Sequence, residues 1–177
     1  MPFQLLGLAP AVLQAIRDAG YTEPTPIQSA AVPQVLAGHD LIGIAQTGTG
    51  KTAAFTLPIL SRLAARPGES DPGASRGRTR SLILAPTREL VVQIEENVRI
   101  YARHLDLRIA TVFGGVGERP QIEALRSGCD LLVATPGRLL DLVGRRHGDF
   151  SRLEFLVLDD ADRMLDMGFL PDIRRIV

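Results

Sequence analysis

The sequence is poor in thiols, lysine and aromatic side chains. Its 177 residues include one cysteine, one lysine and no tryptophan. A single cysteine, Cys129, excludes an intrachain disulfide and a metal site built from several cysteines. Low thiol use is typical of the reducing cytoplasm, where we expect this protein. No apolar run approaches the roughly 20 residues of a membrane-spanning helix, and the N-terminus lacks the basic start of a signal peptide, so we expect no membrane partner.

The chain also lacks an excess of either charge. Twenty basic residues balance twenty acidic residues, and the isoelectric point is about 6.8. This balance excludes a protein that coats nucleic acid by bulk electrostatics. Any contact with nucleic acid must therefore be local, built from backbone amides and a few arginines. The length fits a single domain, and we expect residues 1–177 to form one.

Short apolar runs alternate with helix-like segments along most of the chain. The runs show no polar alternation, which is typical of strands buried on both faces of a parallel sheet. We therefore predict an α/β fold with helices on both faces of the sheet. The predicted strands are 41–45, 81–85, 108–113, 131–134 and 155–158, and the clearest predicted helices are 8–19, 26–37, 52–65 and 119–127.

Residues 66–80 are rich in glycine, proline, serine and arginine. This composition predicts a mobile surface loop. Its arginines either contact nucleic acid or are simply solvated, and we favour the second interpretation.

Ala45–Thr52 has the sequence of a phosphate-binding loop, with a predicted strand before it and a predicted helix after it. Glycines allow several backbone N–H groups to point into one concavity, and a helix N-terminus adds partial positive charge. Lys51 is the only lysine beside 19 arginines, which suggests that a compact ammonium is required there. Lys51 is expected to reach the β- and γ-phosphates of a nucleotide, and Thr52 to ligate Mg²⁺. The alternative is a Gly-Lys-Thr that occurs in a turn by chance.

Several further motifs follow along the chain, and each begins where a predicted strand ends. In a parallel sheet these ends lie at one edge, where ligands bind. Asp159 follows the apolar run 155–158, a pattern typical of a carboxylate that binds Mg²⁺ together with a phosphate-binding loop. Asp160 beside it is a candidate for orienting or deprotonating the attacking water. The alternative is that these acidic residues only favour the dipole of the following helix.

With these residues in view, the chain resembles the N-terminal RecA-like domain of a DEAD-box ATP-dependent RNA helicase, and within that family the bacterial RhlE type. Gly20–Gln28 resembles the Q motif of that family, with Phe3 as its isolated aromatic 17 residues before Gly20, and we assign residues 1–38 to the Q-motif region. The other motifs occur in the family's order. They are Ala45–Thr52, Pro86–Leu90, Gly114-Gly115, Thr135–Arg138 and Asp159–Asp162.

The resemblance implies that ATP and Mg²⁺ bind here. Gln28 would read the adenine edge through its amide, Phe3 would stack on the base, and Thr25 would support the loop. Tyr21 is either an adenine contact or a core residue, and Phe3 is alternatively a core residue of a turn. The phosphate contacts implied by the resemblance are Gln46, Thr47, Gly48, Thr49, Gly50, Lys51 and Thr52.

The resemblance also implies contacts with the sugar-phosphate backbone of RNA. Amides and hydroxyls near phosphates bind the backbone without reading bases. For Arg88 and Arg138 the alternative is a salt bridge at the start of a helix. The implied RNA contacts are Pro86, Thr87, Arg88, Gly115, Thr135, Gly137 and Arg138.

The sequence departs from the family in two ways. The chain stops at Val177, before the Ser-Ala-Thr motif and the second RecA-like domain, so we expect an incomplete domain with no unwinding activity of its own. Asp160 stands where the family has glutamate, so we expect Mg-ATP binding to survive and hydrolysis to be impaired. The alternatives to a helicase are a non-catalytic ATP-dependent RNA clamp and a P-loop NTPase unrelated to RNA. The second is disfavoured by the Q motif together with Thr135–Arg138.

Overall fold

A computed structural model describes residues 2–65 and 78–176 of the chain. A short 3-10 helix, Phe3–Leu5, precedes the regular elements. The helices are α1 (Pro10–Asp18), α2 (Pro26–Ala37), α3 (Lys51–Ala65), α4 (Arg88–Tyr101), α5 (Arg119–Ser127), α6 (Pro136–Gly144), α7 (Ala161–Asp166) and α8 (Leu170–Ile176). The strands are β1 (Thr79–Leu84), β2 (Ile109–Val112), β3 (Cys129–Ala134) and β4 (Phe155–Leu158).

The chain divides into two compact units, which are described separately. The first comprises residues 1–67 and 96–106 and contains α1, α2, α3 and the end of α4. Helix α2 begins at Pro26 and ends before Gly38, as the sequence predicts. Proline suits the first turn because its missing N–H has no helical partner there, and Gly38 ends the helix in the left-handed conformation at φ 88°.

The predicted strand at 41–45 is wrong. Residues 41–46 have no regular secondary structure, and the side chains of Ile42 and Ile44 are 90% and 91% exposed. An apolar segment becomes a strand only when its backbone N–H and C=O groups pair with a neighbouring strand. Among the described residues, no strand pairs with this segment. The phosphate-binding loop therefore follows a segment without regular secondary structure rather than a strand.

The second unit comprises residues 68–95 and 107–177 and contains the sheet. Its described residues form four parallel strands in the order β2-β3-β1-β4. The parallel sheet with intervening helices confirms the predicted fold class. The remaining predicted strands all form, although β1 begins at Thr79 and β3 at Cys129, two residues before their predicted starts.

The core of the second unit lies between one face of the sheet and the helices that follow the strands. Leu82 and Leu84 of β1 and Leu132 of β3 face a cluster completed by Leu139 and Leu142 of α6 and by residues of α5, α7 and α8. Ile83, Leu131 and Val133, which point to the opposite face, are also fully buried. Burial on both faces explains why these strands lack polar alternation.

The predicted mobile loop at 66–80 falls mostly on residues 66–77, which lie outside the described residues. Its last residues belong to ordered structure: Arg78 forms a bridge with Asp149, and Thr79 and Arg80 begin β1. Within the described part of the chain, no helix is both long and apolar enough to cross a membrane.

Candidate functional site

The phosphate-binding loop, in the first unit, makes its turn at two glycines. Gly48 has φ 81° and Gly50 has φ 86°, a region that residues with a Cβ rarely adopt. Thr49 Oγ1 donates to the carbonyl of Gln46 at 2.7 Å, which closes the turn. Helix α3 then begins at Lys51. The loop therefore leads directly into a helix N-terminus, where unpaired backbone N–H groups and the helix dipole favour an anion.

The Lys51 side chain folds back onto this loop. Its Nζ donates to the carbonyl of Ala45 at 2.7 Å. Thr52 lies one residue further on, in the first turn of α3, and is partly buried. A phosphate would have to compete with the Ala45 carbonyl for the ammonium, but a charged oxygen is the stronger partner.

Gln28 connects the start of α2 to the phosphate-binding loop. Its Oε1 accepts the Thr25 N–H at 3.0 Å and its Nε2 donates to the Gly50 carbonyl at 3.1 Å, while the residue is only 3% exposed. Both ends of the amide are thus used within the protein. Within the described ranges Thr25 Oγ1 is buried without a hydrogen-bond partner, and it lies close to Gly50.

The two aromatic residues of the predicted adenine site differ in exposure. Phe3 is 3% exposed and offers no free face for a base in this conformation. Tyr21 is partly exposed, its hydroxyl lies 3.3 Å from that of Tyr101, and the two rings meet edge to face at 6.0 Å. Burial, and then the hydrogen bond between the Tyr21 and Tyr101 hydroxyls, raise the pKa of Tyr101. The roles of Phe3 and Tyr21 in nucleotide binding remain predictions.

In the second unit, the predicted motifs lie at the carboxyl edge of the sheet. Because all four strands are parallel, the segments that follow β1, β2, β3 and β4 leave the sheet at the same edge. Backbone hydrogen bonds extend the pairing into them: Thr135 donates to Val112 at 2.9 Å, and Asp159 donates to Leu84 at 2.9 Å. The second-unit motifs are Pro86–Leu90, Gly114-Gly115, Thr135–Arg138 and Asp159–Asp162.

Two of the predicted RNA-binding arginines contact the segment between β2 and α5. The guanidinium of Arg88 lies over the Phe113 ring, 5.3 Å from its centroid. Arg138 Nη1 donates to the Val116 carbonyl at 3.4 Å. Gly115 is exposed between these contacts and has φ 81°. Among the described residues, Arg88 contacts a ring and Arg138 contacts a carbonyl, and neither forms the helix-start salt bridge that was the alternative to RNA binding.

The other predicted RNA contacts lie at helix starts. Thr87 Oγ1 accepts the Leu90 N–H at 3.3 Å, which caps the beginning of α4. Pro86 is buried, whereas Gly137 is exposed in the first turn of α6. Thr135 precedes α6 and is partly exposed.

Two residues of this region were not predicted from the sequence: a buried glutamine and an aromatic residue. Gln121 is 7% exposed, and its side chain makes three hydrogen bonds to the segment between β2 and α5. Phe113 supplies the ring below Arg88. The available signal was spacing: Gln121 precedes the buried Leu125 by four residues, which places a polar side chain on the buried face of α5.

Asp159 and Asp160 follow β4 as expected. Asp160 adopts the left-handed conformation at φ 56°, and its carboxylate lies 3.9 Å from the Arg163 guanidinium. Asp tolerates this backbone region better than most residues with a Cβ. Across the described ranges, no group of three or more His, Cys, Asp or Glu side chains forms a metal site. The phosphates of a nucleotide would have to contribute ligands to any Mg²⁺ bound here.

Residues 25–177 match the family model described as "DEAD/DEAH box helicase". The chain is 48% identical over 177 residues to a protein named DEAD-box ATP-dependent RNA helicase 30 of Arabidopsis thaliana, and 46% identical over 175 residues to the ATP-dependent RNA helicase vasa of Drosophila melanogaster. Both alignments cover 99% of this chain, but only 29% and 26% of those proteins. The chain thus spans less than a third of the length of these relatives.

A solved structure gives the same result for the fold. The RNA helicase Prp28 of Chaetomium thermophilum, crystallised with ADP, superposes with a TM-score of 0.87 at 44% identity, over 97% of this chain and 41% of that one. These relatives are eukaryotic, so they do not support the predicted bacterial RhlE type.

Proposed function

Because the chain belongs to the DEAD/DEAH box helicase family, we propose that it is the part of an ATP-dependent RNA helicase that binds Mg-ATP and one side of the RNA. The observation that carries the RNA assignment is the arrangement around the loop after β2. Arg88, Gly115 and Arg138 come from three separate segments and meet at this loop. Cations beside an exposed glycine suit a sugar-phosphate backbone, which requires charge and close approach but no base reading.

The chemistry of the first unit fits ATP. The Thr25 hydroxyl is buried without a hydrogen-bond partner among the described residues, and it lies beside a loop whose turn uses the positive φ angles of Gly48 and Gly50. Lys51 would hold the β- and γ-phosphates after leaving the Ala45 carbonyl. When bound, Mg-ATP would supply the free energy of its hydrolysis to ADP and phosphate. Gln46, Thr47 and Thr49 would contribute to the same phosphate site.

The remaining nucleotide contacts follow from the same proposal. Thr52 and Asp159 would hold Mg²⁺ together with the phosphates, and Asp160 would orient the attacking water. Gln28 would read adenine only after releasing the Thr25 N–H or the Gly50 carbonyl, since both ends of its amide are engaged. Release of the Gly50 carbonyl would couple adenine binding to a change in the phosphate-binding loop.

Unwinding is proposed for the whole protein and not for this chain alone. We infer a second RecA-like domain that completes the nucleotide site and the RNA track, since the relatives are much longer than this chain. Their names favour a helicase over a non-catalytic clamp. The RhlE type and the cytoplasmic location rest on the sequence alone and stay predictions.

RNA-stimulated ATPase activity of the intact protein tests the proposal. We expect single-stranded RNA to stimulate ATP hydrolysis and Lys51→Ala to abolish it. Arg88→Ala and Arg138→Ala should each raise the RNA concentration needed for half-maximal stimulation. Arg17→Ala is the matched control, because Arg17 is exposed on α1 in the first unit. An ATPase indifferent to RNA, or arginine variants that behave like Arg17→Ala, would contradict the proposal.

A further inference from the structure

The segment Phe113–Gly117, between β2 and α5, is closed by one side chain. Gln121 Oε1 accepts the Phe113 N–H at 3.0 Å, and Gln121 Nε2 donates to the Phe113 carbonyl at 3.1 Å and to the Gly117 carbonyl at 3.2 Å. One amide therefore uses both of its N–H groups and one oxygen lone pair on the two ends of a single loop. We call Phe113–Gly117 the amide-closed loop.

The amide-closed loop is the part of the second unit that both RNA-binding arginines touch. Arg88 lies over the Phe113 ring at one end, and Arg138 donates to the Val116 carbonyl near the other. Gly115, between them, has φ 81°, and a Cβ there would lie 3.4 Å from Arg88 Nη1. Both guanidinium groups thus contact the amide-closed loop.

We propose that Gln121 is a positioning residue for RNA binding, because its amide holds the amide-closed loop in the shape that places Arg88 and Arg138. The inference rests on the proposed function, since it assumes that these arginines bind RNA. Gln121 itself touches no ligand: it is buried, and its polar atoms are directed at the loop backbone.

The composition of the amide-closed loop explains why it needs these hydrogen bonds to keep one conformation. Three of its five residues are Gly114, Gly115 and Gly117, and glycine backbones populate many conformations unless something holds them. Helix α5 offers a fixed base, since Leu125, one turn after Gln121, is fully buried in the core. The amide transmits that fixed position to the loop. Restricting the loop before RNA arrives removes an ordering cost from binding.

The experiment compares Gln121→Met with wild type in the intact protein, using RNA-stimulated ATPase activity on single-stranded poly-uridine RNA. Methionine has similar length but cannot make the three hydrogen bonds. We expect the RNA concentration for half-maximal stimulation to rise about tenfold, as is typical when roughly one net hydrogen bond's worth of binding energy is lost. The KM for ATP and the RNA-free ATPase rate should be unchanged. Gln14→Met, on the exposed side of α1, is the matched control.

A double-mutant cycle separates positioning from a merely structural role. If Gln121 acts through Arg88, the effect of Gln121→Met should shrink in an Arg88→Ala background, whereas independent effects add. Full additivity, or equal losses in ATP binding and RNA binding, would overturn the inference. If Gln121→Met does not fold, Gln121→Glu takes its place, since glutamate keeps the acceptor for the Phe113 N–H and loses both donated bonds.

The possible failures are distinguishable. If Arg88→Ala leaves RNA stimulation unchanged, the proposed RNA site is wrong and the inference falls with it. If Arg88→Ala weakens stimulation but Gln121→Met and Gln121→Glu match Gln14→Met, only the inference about Gln121 is overturned.

Discussion

Gln28 Nε2 and the Gly50 carbonyl are joined by a hydrogen bond of 3.1 Å, although 22 positions separate the two residues. The bond ties the start of α2 to the residue immediately before Lys51. The other end of the same amide accepts the Thr25 N–H. One side chain therefore links the phosphate-binding loop to the Q-motif region. A substitution at either residue should alter the conformation at the other.

Gly50→Ala tests the close approach directly. Gly50 has φ 86°, and an added methyl group would overlap the Gln28 amide. Left-handed backbone costs a residue with a Cβ roughly 1–2 kcal/mol, before any steric clash is counted. We expect a loss of nucleotide affinity of at least tenfold in a fluorescent-nucleotide titration. Gly43→Ala is the control, because a Cβ there makes only an ordinary contact with Ile27 at 3.8 Å. Equal affinity in the two variants would contradict the prediction.

Gln28→Glu tests the hydrogen bond rather than the space. Glutamate still accepts the Thr25 N–H, but its second oxygen faces the Gly50 carbonyl, where Gln28 placed a donor. Two acceptors in a buried site repel, and the lost bond and desolvation cost about 1–3 kcal/mol. Nucleotide affinity should fall roughly tenfold or more, as measured by isothermal calorimetry with Mg-ATP. Gln14→Glu makes the same charge change at an exposed position of α1; if it has the same effect, the contact with Gly50 is not responsible.

The sequence predicted the fold where the signal was local. Proline at the start of α2 and glycine after its end mark that helix, and the apolar runs of β1, β3 and β4 mark the sheet. The segment at 41–45 has the same apolar pattern but forms no strand. An apolar pattern indicates only that a segment prefers burial. A strand also needs a neighbouring backbone with which its N–H and C=O groups can pair.

The site was predicted as motifs, but its contacts were not. The sequence identified Arg88 and Arg138, yet it did not indicate that both touch one loop. The buried position of Gln121 was not predicted, because glutamine on a helix is ordinarily a surface residue. Only its position four residues before Leu125 indicates that it lies on the buried face. Side-chain bonds to a distant backbone depend on tertiary placement, which a single sequence does not contain.

Lys51 offers a chemical test of the phosphate-binding loop, since it is the only lysine in this chain. Its Nζ donates to the Ala45 carbonyl and is partly buried. An amine-reactive reagent should label Lys51. Saturating Mg-ATP should reduce this labelling by about tenfold or more, because phosphate oxygens accept hydrogen bonds from the ammonium and shield it from the reagent. Mass spectrometry of the peptide that contains Lys51 measures this. Labelling that is indifferent to nucleotide would remove the basis for assigning a phosphate site.

Cys129 provides a pH-dependent test of the second unit's core. Burial raises the pKa of its thiol from 9.0 to about 11. The folded protein therefore holds this proton at pH values where the unfolded chain has lost it. Its contribution to stability is complete below pH 9 and declines as pH rises from 9 to 11, by at most roughly 3 kcal/mol.

Chemical denaturation at pH 8 and pH 11 should accordingly show a smaller loss of unfolding free energy in Cys129→Ala than in wild type. Subtracting the loss in Cys129→Ala from the loss in wild type removes the contributions of other groups that ionise in this range. In the same experiment, the native thiol should resist alkylation at pH 8, because it is both buried and protonated. Rapid alkylation of the folded protein would show that β3 is less protected than the structure indicates.

Asp160→Glu tests whether the shorter carboxylate limits hydrolysis. Aspartate is shorter than glutamate by one methylene, and a misplacement of about 1 Å at a reacting group can lower the rate about 100-fold. We expect Asp160→Glu to raise the RNA-stimulated turnover number of the intact protein by at least tenfold, with the KM for ATP little changed. Asp162→Glu is the control, since Asp162 is an exposed acid in the same helix start.

The backbone conformation at residue 160 predicts that Asp160→Glu also lowers the stability of the protein. Asp160 sits in the left-handed region at φ 56°, which aspartate tolerates better than glutamate because its short side chain bonds locally to the backbone. Asp160→Glu should therefore lower the free energy of unfolding by roughly 1 kcal/mol while turnover rises. A faster but less stable enzyme is the expected outcome. Unchanged turnover in Asp160→Glu would contradict the prediction and show that the aspartate already places the attacking water correctly.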